Sequence, residues 1–413
     1  MKFISCLFLL FASESLLYSF PHAMNPDTHV RRRVIIVGID GLGGQELQKL
    51  MEKRQKELPH WEELLSNGAS NLTGKTGHSQ LKFHVTQPGW TQVLSGVPSE
   101  VSLVMENGDG SRRQESAANS PSFLQLAKSQ GLHTFGAGVA NFIDDLDSQS
   151  SAIDGECLQP RIENASFTYH CEKNGLDLSV PLLCSVADLG RTAPSCNLTH
   201  HYGITSLIES GNAASNPLFH NPDPLLLALN SAHILGEKGA DRSDVMFGVF
   251  DHLDSIGHHH GFIDNPQYEA YLVGFIHHAL GTILRGIQKS IEDNEEEWLL
   301  VLTSDHGGHN DKVRGENGEI SEKIPKGGGH GGKHGESTDE IIPYVVAVLA
   351  KDPQSHVVAY EAVEPLDDSF TQRSVFPMVL HFLGLDLPKN NFKYDDVKAI
   401  QLLGRGEIVS ANP

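Results

Sequence analysis

Four short segments of this 413-residue sequence bring carboxylates and imidazoles together in the way a metal centre requires. The run Val34-Ile-Ile-Val-Gly-Ile-Asp40-Gly41 delivers one carboxylate at the end of an apolar stretch. The segment from Phe250 to Gly261 carries Asp254 and His258, four residues apart in an expected loop. A third, Leu302-Thr-Ser-Asp305-His306-Gly307-Gly308, sets a carboxylate beside an imidazole. The fourth is glycine-rich and holds His330 and His334, each followed by glycine. Any one of these has an ordinary explanation, since a strand-end Asp commonly caps the next helix. The sequence also contains 23 histidines, so a single His carries little information. Four segments all offering Asp or His carry much more.

Mixed Asp and His donors suit zinc or another borderline divalent ion, because calcium and magnesium favour all-oxygen shells. Two such ions about 4 Å apart hold both the attacking and the leaving oxygen of an in-line phosphoryl displacement. Phosphoester hydrolysis is therefore the chemistry to expect. It needs a nucleophile, and Thr86 stands in His84-Val-Thr86-Gln-Pro88-Gly89-Trp90, ahead of a helical pattern. A hydroxyl at a helix N-terminus gains from the dipole and from free N–H groups that also cradle phosphate. On local grounds alone an ordinary N-cap role is the preferred reading.

These residues need a frame to position them. Apolar runs rich in β-branched residues at Val34 to Val37, Val245 to Val249, Leu299 to Thr303 and Tyr344 to Leu349 predict strands of a covered, largely parallel sheet. Helical periodicity follows at Gln45 to Arg54, Pro222 to Ile234, Tyr268 to Ile291 and Ser374 to Leu383. The alternation predicts an α/β fold with helices on both faces and the site at the carboxyl ends of strands.

The stretch 148–221 breaks that rhythm. It holds Cys157, Cys171, Cys184 and Cys196 and shows no clear period, so it is expected to be an inserted cap carrying two disulfides of open pairing. The catalytic domain is then 30–147 with 222–410. Residues 1–23 have the form of a signal peptide, with an apolar run from Phe3 to Ala12 and Ala23 as the cleavage position. Sequons at Asn71, Asn164 and Asn197 agree with a secreted or secretory-lumen glycoprotein. Nothing is long enough for a transmembrane anchor. A net charge of −21 disfavours a nucleic-acid-binding surface but not a small anionic substrate, since bound cations reverse the local field.

Taken in order, Asp40, Thr86-x-Pro with Gly96 ten residues on, Asp254-x-x-Gly257-His258-x-x-Gly261, Asp305-His306-Gly307 and a late His-Gly resemble the alkaline phosphatase superfamily. Within it the sequence is most similar to the type I phosphodiesterase and nucleotide pyrophosphatase branch, over roughly Arg33 to Leu349. The resemblance implies an alkaline-phosphatase-like fold and two divalent ions, zinc foremost. Asp254, His258 and a late histidine would hold one ion, while Asp40, Thr86, Asp305 and His306 surround the other. It further implies attack by Thr86 and a phosphothreonine intermediate. His334 is the expected late ligand, because Ser337-Thr-Asp-Glu340 follows it where the branch carries an acidic stretch.

Asn107, 21 residues after Thr86, falls where the branch places an asparagine on a phosphate oxygen, which favours a diester or nucleotide-like substrate. The sequence departs from the branch at Gln87-Pro88-Gly89, where Phe-Pro-Asn is usual, and at Ser102-Leu103, where His-Gly is usual. It lacks the Cys-x-Pro-x-Arg of a sulfatase. Two other readings stand beside the phosphodiesterase: a phosphomonoesterase, and a secreted binding protein that keeps the fold without turnover.

Overall fold

A computed structural model describes residues 30–77, 84–106, 120–137, 155–163, 166–171, 176–181, 234–236, 242–250, 252–311, 313–314, 320–321, 327–331, 337–352, 354–361, 363, 365–389 and 394. The strands in chain order are β1 (Arg31–Ile39), β2 (Ala69–Lys75), β3 (Thr134–Ala137), β4 (Gly155–Glu163), β5 (Ser166–Cys171), β6 (Leu176–Pro181) and β7 (Val245–Phe250). They continue as β8 (Glu296–Thr303), β9 (His309–Asn310), β10 (Val313–Arg314), β11 (Ile320–Ser321), β12 (Gly328–Gly329), β13 (Ile341–Lys351) and β14 (Val358–Glu361). The helices used below are α1 (Gly44–Arg54), α2 (Pro59–Asn67), α3 (Thr86–Ser95), α4 (Ser99–Ser102), α5 (Phe123–Ser129), α6 (His252–His260), α7 (Pro266–Tyr271), α8 (His277–Asn294) and α9 (Gln372–Leu383).

Ten strands form one sheet in the order β14-β13-β8-β1-β7-β3-β4-β5-β6, with β2 also paired to β13. The stretch from β8 through β1, β7 and β3 to β4 is parallel. Antiparallel partners flank it, β13 on β8 and the β4-β5-β6 meander at the far side. The fold is thus mixed α/β with a largely parallel centre, and all four expected strands lie within it.

Successive side chains of a strand point to opposite faces, and here each face is buried. Ile35, Val37 and Ile39 of β1 join Met246, Leu300, Leu302 and the inner sides of α1, α2 and α8 in one core. Val34 and Ile36 join Val245, Phe247, Leu299, Val301 and residues of α3, α5 and α9 in the other. Burial on both sides explains why these strands read as continuous apolar runs instead of alternating ones. Register is fixed at the amino end by charge, since Arg31 and Arg32 of β1 lie opposite Glu296 and Glu297 of β8. The buried Arg33 bonds Glu296 at 2.8 Å, and Arg31 grips both oxygens of Asp244. The basic run of the sequence therefore serves the end of the sheet opposite the carboxyl-terminal loops.

Residues 155–181 hold three strands where the sequence shows no clear period. The signal is there in short form: Ser166-Phe-Thr-Tyr-His-Cys171 alternates polar and apolar, as does Leu176-Asp-Leu-Ser-Val180. Six residues are too few for period two to stand out. Cys184, Cys196, Asn164, Asn197, the expected signal peptide and nearly all of the expected helix Pro222 to Ile234 lie outside the described residues. Among the described residues no helix is long and apolar enough to cross a membrane.

The expected helix Tyr268 to Ile291 is found as α7, a π-helical turn at Leu272–Ile276, and α8. It starts where Asn265 accepts the N–H groups of Gln267 and Tyr268, with Pro266 in the first turn. His277 at the head of α8 is 5 % exposed, stacks on His60 at 4.8 Å, and its Nδ1 has no hydrogen-bond partner among the described residues. Burial, with His60 adding, pulls its pKa down to about 4. An unfolded His takes up its proton near pH 6.5, so between 6.5 and 4 the unfolded chain binds more protons and stability falls with falling pH. His277→Gln should flatten that part of the thermal midpoint's pH dependence. An unchanged slope from pH 7 to 4.5 would show that His277 contributes none of it.

Candidate metal centre

Three parallel neighbours, β1, β7 and β8, end side by side, and their carboxyl ends carry the chemistry, as is general for such sheets. Asp40 follows β1, and Asp305 and His306 follow β8; all three are buried. Asp254 and His258 come after β7 in a helix, α6, where the sequence reading expects a loop. Their spacing is one helical turn, which puts both on the same face. His258 Nε2 stands 3.3 Å from Asp254 Oδ2. His330 follows β12, which the β9 pairing holds near the end of β8. Thr86 is the first residue of α3.

The side chains converge. Asp254, His306 and His330 offer ligand atoms within 4.8 Å of one another, and so do Asp40, Asp305 and His306. His306 Nε2 lies 3.4 Å from Asp40 Oδ1, 3.2 Å from Asp305 Oδ2 and 3.5 Å from Thr86 Oγ1. His330 Nε2 lies 3.4 Å from Asp254 Oδ1 and 3.1 Å from His258 Nε2.

The other nitrogen of each ring explains what these atoms are prepared for. Nδ1 donates to a backbone carbonyl in all three cases: His258 to Gly328, His306 to Gly307, and His330 to His84. That leaves Nε2 of His306 and of His330 with its lone pair, aimed inward, while Nε2 of His258 faces Asp254. Burial lowers the pKa of His306, and that of His330 to about 4, which keeps both rings neutral. His258 is raised by its hydrogen bond to Asp254.

Burial also pushes the Asp305 carboxyl up, to about 7, with the charge of Asp254 adding to the effect. Asp254 feels the same burial, but the His258 hydrogen bond and the neighbouring histidines hold it below its ordinary value. Asp254 Oδ1 and Asp305 Oδ2 are buried and receive no hydrogen bond among the described residues. Lone pairs facing carboxylate oxygens repel unless a cation lies between them, and buried charges of one sign are costly. The donor set therefore fits divalent cations.

The surroundings fix these groups in place. Gly41 has φ +73°, and a Cβ there would come within 2.8 Å of Asp254 Cα, so only glycine lets β1 turn beneath α6. At Gly89 a Cβ would meet Asp305 at 2.7 Å, which is how closely α3 lies on the loop after β8. Three positioning groups are invisible in the sequence because their contacts are remote in the chain. Gln372 donates to the carbonyls of Ser304 and Asp305, and Tyr268 donates to Gly41. Trp90 Nε1 points to Asp40 Oδ2 at 3.4 Å. At Leu103, where the resemblance expects glycine, the backbone is left-handed with φ 61°, a conformation that costs a side chain about 1–2 kcal/mol.

Of the residues expected from sequence, Asp40, Thr86, Asp254, His258, Asp305 and His306 meet at this centre. Asn107 and His334 lie outside the described residues, and the late histidine found in the cluster is His330. Residues 189–364 match the profile of the type I phosphodiesterase / nucleotide pyrophosphatase family. That stretch is therefore similar to the family. The family so matched is, by its description, one of phosphodiester and nucleotide pyrophosphate hydrolases. The matched span holds Asp254, His258, Asp305, His306 and His330; Asp40 and Thr86 join them through the fold.

No curated protein sequence matches the chain. Solved structures similar to it include human ectonucleotide pyrophosphatase / phosphodiesterase 5, at 12% identity over 88% of this chain and 98% of that one, with a TM-score of 0.48. An inactive murine form of the same enzyme in complex with AMP is 11% identical over 88% of this chain and 98% of that one, TM-score 0.47. A 2-O GAG sulfatase is 10% identical over 90% of this chain and 73% of that one, TM-score 0.48.

Proposed function

We propose that this protein is a secreted hydrolase of phosphodiester or pyrophosphate bonds that uses two divalent metal ions, zinc foremost, and an intermediate on Thr86. The observation that carries the reading is the convergence of three imidazole Nε2 atoms on the oxygens of Asp40, Asp254 and Asp305, with Thr86 Oγ1 beside them. Asp254, His258 and His330 would hold one ion, and Asp40, Asp305, His306 and Thr86 the other. His330 is the late ligand of this reading because its Nδ1 bond to His84 supports an Nε2 directed into the cluster; the expected His334 lies outside the described residues. Bound there, such ions polarise phosphoryl oxygens and lower the pKa of a coordinated hydroxyl.

Thr86 sits at the start of a ten-residue helix whose first N–H groups and dipole favour negative charge on its oxygen and on the phosphoryl group before it. Oγ1 attacks phosphorus and its proton leaves to solvent. The P–O bond to the leaving group breaks, and that oxygen takes up a proton. The ester on Thr86 is then cleaved by water, and the proton returns to Oγ1. Asn107 would contact a phosphate oxygen and favour a diester, as the resemblance implies. The family's name marks nucleotides as a substrate class, and the apolar amino-terminal run with the three sequons supports a secretory destination.

Assay of a chromogenic phosphodiester beside its monoester, before and after chelation, tests this reading. Hydrolysis of the diester should exceed that of the monoester, fall at least about a hundredfold in chelated and dialysed protein, and return with added Zn2+. Monoester-only turnover would make the protein a phosphomonoesterase. Full activity in chelated protein would remove the metals from the mechanism, and no activity in the zinc-loaded protein would leave a binding protein.

A further inference from the structure

Asp339 takes no part in the chemistry above, yet it is fully buried beside it. It lies in the turn Ser337–Glu340 that leads into β13. Its Oδ2 accepts the N–H of Gly331 at 3.0 Å, next to His330. Its Oδ1 is 2.7 Å from His309 Nδ1, and its carbonyl accepts the N–H of Gly307 at 2.8 Å, next to His306. One residue is thus bonded to both loops that bring late histidines to the centre.

The loop carrying His330 needs such an anchor. Gly327, Gly328, Gly329 and Gly331 surround the histidine, and glycine loses more conformational freedom on ordering than any other residue. Gly331 is left-handed at φ +67°, and a Cβ there would come within 2.8 Å of the His84 carbonyl. The loop therefore runs hard against the residues just before Thr86; its Gly328–Gly329 side is held by the β9 pairing, and past it the contacts are His330 Nδ1 on His84 and Asp339 on Gly331.

We propose that Asp339 is a positioning residue that clamps the His330 loop to the His306 loop and so sets the affinity of the ion held by Asp254, His258 and His330. The proposal rests on the metal-dependent reading above. His306 keeps its own anchors, the Nδ1 bond to Gly307 and the end of β8, so the second ion should depend much less on Asp339.

Calorimetric titration of metal-free protein with Zn2+, beside metal content and thermal midpoint, tests it. Asp339→Asn keeps the size but turns one acceptor into a donor, setting N–H against N–H. We expect one of two binding constants to weaken about 10–100-fold, the usual effect of losing a group behind a ligand, and the other to stay as in the wild type. Two unchanged constants, or equal weakening of both, overturn the clamp, whatever happens to the midpoint. Should Asp339→Asn fail to fold, His309→Leu leaves the carboxylate and removes one partner; it should weaken the same constant by about threefold to tenfold, and an unchanged constant overturns the clamp. A wild-type chain that takes up no Zn2+ overturns the metal reading and the clamp together, whereas two ions in the wild type with an unaltered variant fell the clamp alone.

Discussion

Replacing Thr86 by alanine should lower phosphodiester hydrolysis by at least about a thousandfold, some 4 kcal/mol of transition-state stabilisation, while leaving the fold untouched. The two effects separate because of where the residue sits. Thr86 is the first helical residue of α3, Val85 before it is extended, and no side-chain cap bond is lost on truncation. Alanine is the better helix former, so stability should change by less than about 1 kcal/mol. Thr86→Ser keeps a hydroxyl and should keep measurable turnover. Acid quenching during turnover should leave a phosphoryl ester on the wild-type peptide containing Thr86 and none on the alanine variant. Turnover by the variant at the wild-type rate would end the case for Thr86 as nucleophile.

Much of this centre is readable in the sequence, and the reason is local. Asp40 and Asp305 end runs that are apolar on both faces, so strand and catalytic edge are announced by the same few residues. Asp254 and His258 are legible as a pair but not as a helix, because α6 is short, rich in histidine and interrupted by Gly257. Thr86 has nothing in its neighbourhood to separate a nucleophile from a cap; its spacing to Gly96 and the resemblance make the distinction. The choice between His330 and His334 cannot come from sequence, because both precede glycine in a stretch without periodicity. His330 is brought to the cluster by a bond from its Nδ1 to His84, 246 positions away, and His334 lies outside the described residues. Gln372 and Asp339 are hidden for the same reason, since a buried side chain bonded to remote backbone leaves no local pattern.

A second variant, Asp305→Asn, should move activity and stability in opposite directions. Asp305 is wholly buried, with Oδ1 accepting the Gly41 N–H and Oδ2 3.2 Å from His306 Nε2. The charges of Asp40 and Asp254 are close by, and burial adds to the cost of a third. An asparagine keeps the Oδ1 acceptor and presents an N–H where Oδ2 stood, a donor toward the neighbouring carboxylate. Metal-free protein at neutral pH or above should gain roughly 1–3 kcal/mol and melt a few degrees higher. The same change removes an anionic ligand, and hydrolysis in the presence of Zn2+ should fall by at least about a thousandfold. A variant that melts lower than the wild type without metal would mean that the carboxylate cluster carries no electrostatic strain. Such opposition between stability and activity is the usual mark of a functional site.

The side chains gathered at the carboxyl edge are drawn from positions 40 through 330, and no shorter stretch of chain contains the set. During synthesis, β1 and α3 leave the ribosome long before β8, so the central sheet must wait for its middle partner and the centre for its last histidine. Ion uptake should therefore begin late and nearly all at once, as the closing event of domain assembly. If the assembled state alone holds the two proposed ions, each tenfold rise in free metal above their dissociation constants would favour that state by about 1.4 kcal/mol per ion. The metal supply of the compartment would then decide how long the folded molecule persists, as well as how fast it works.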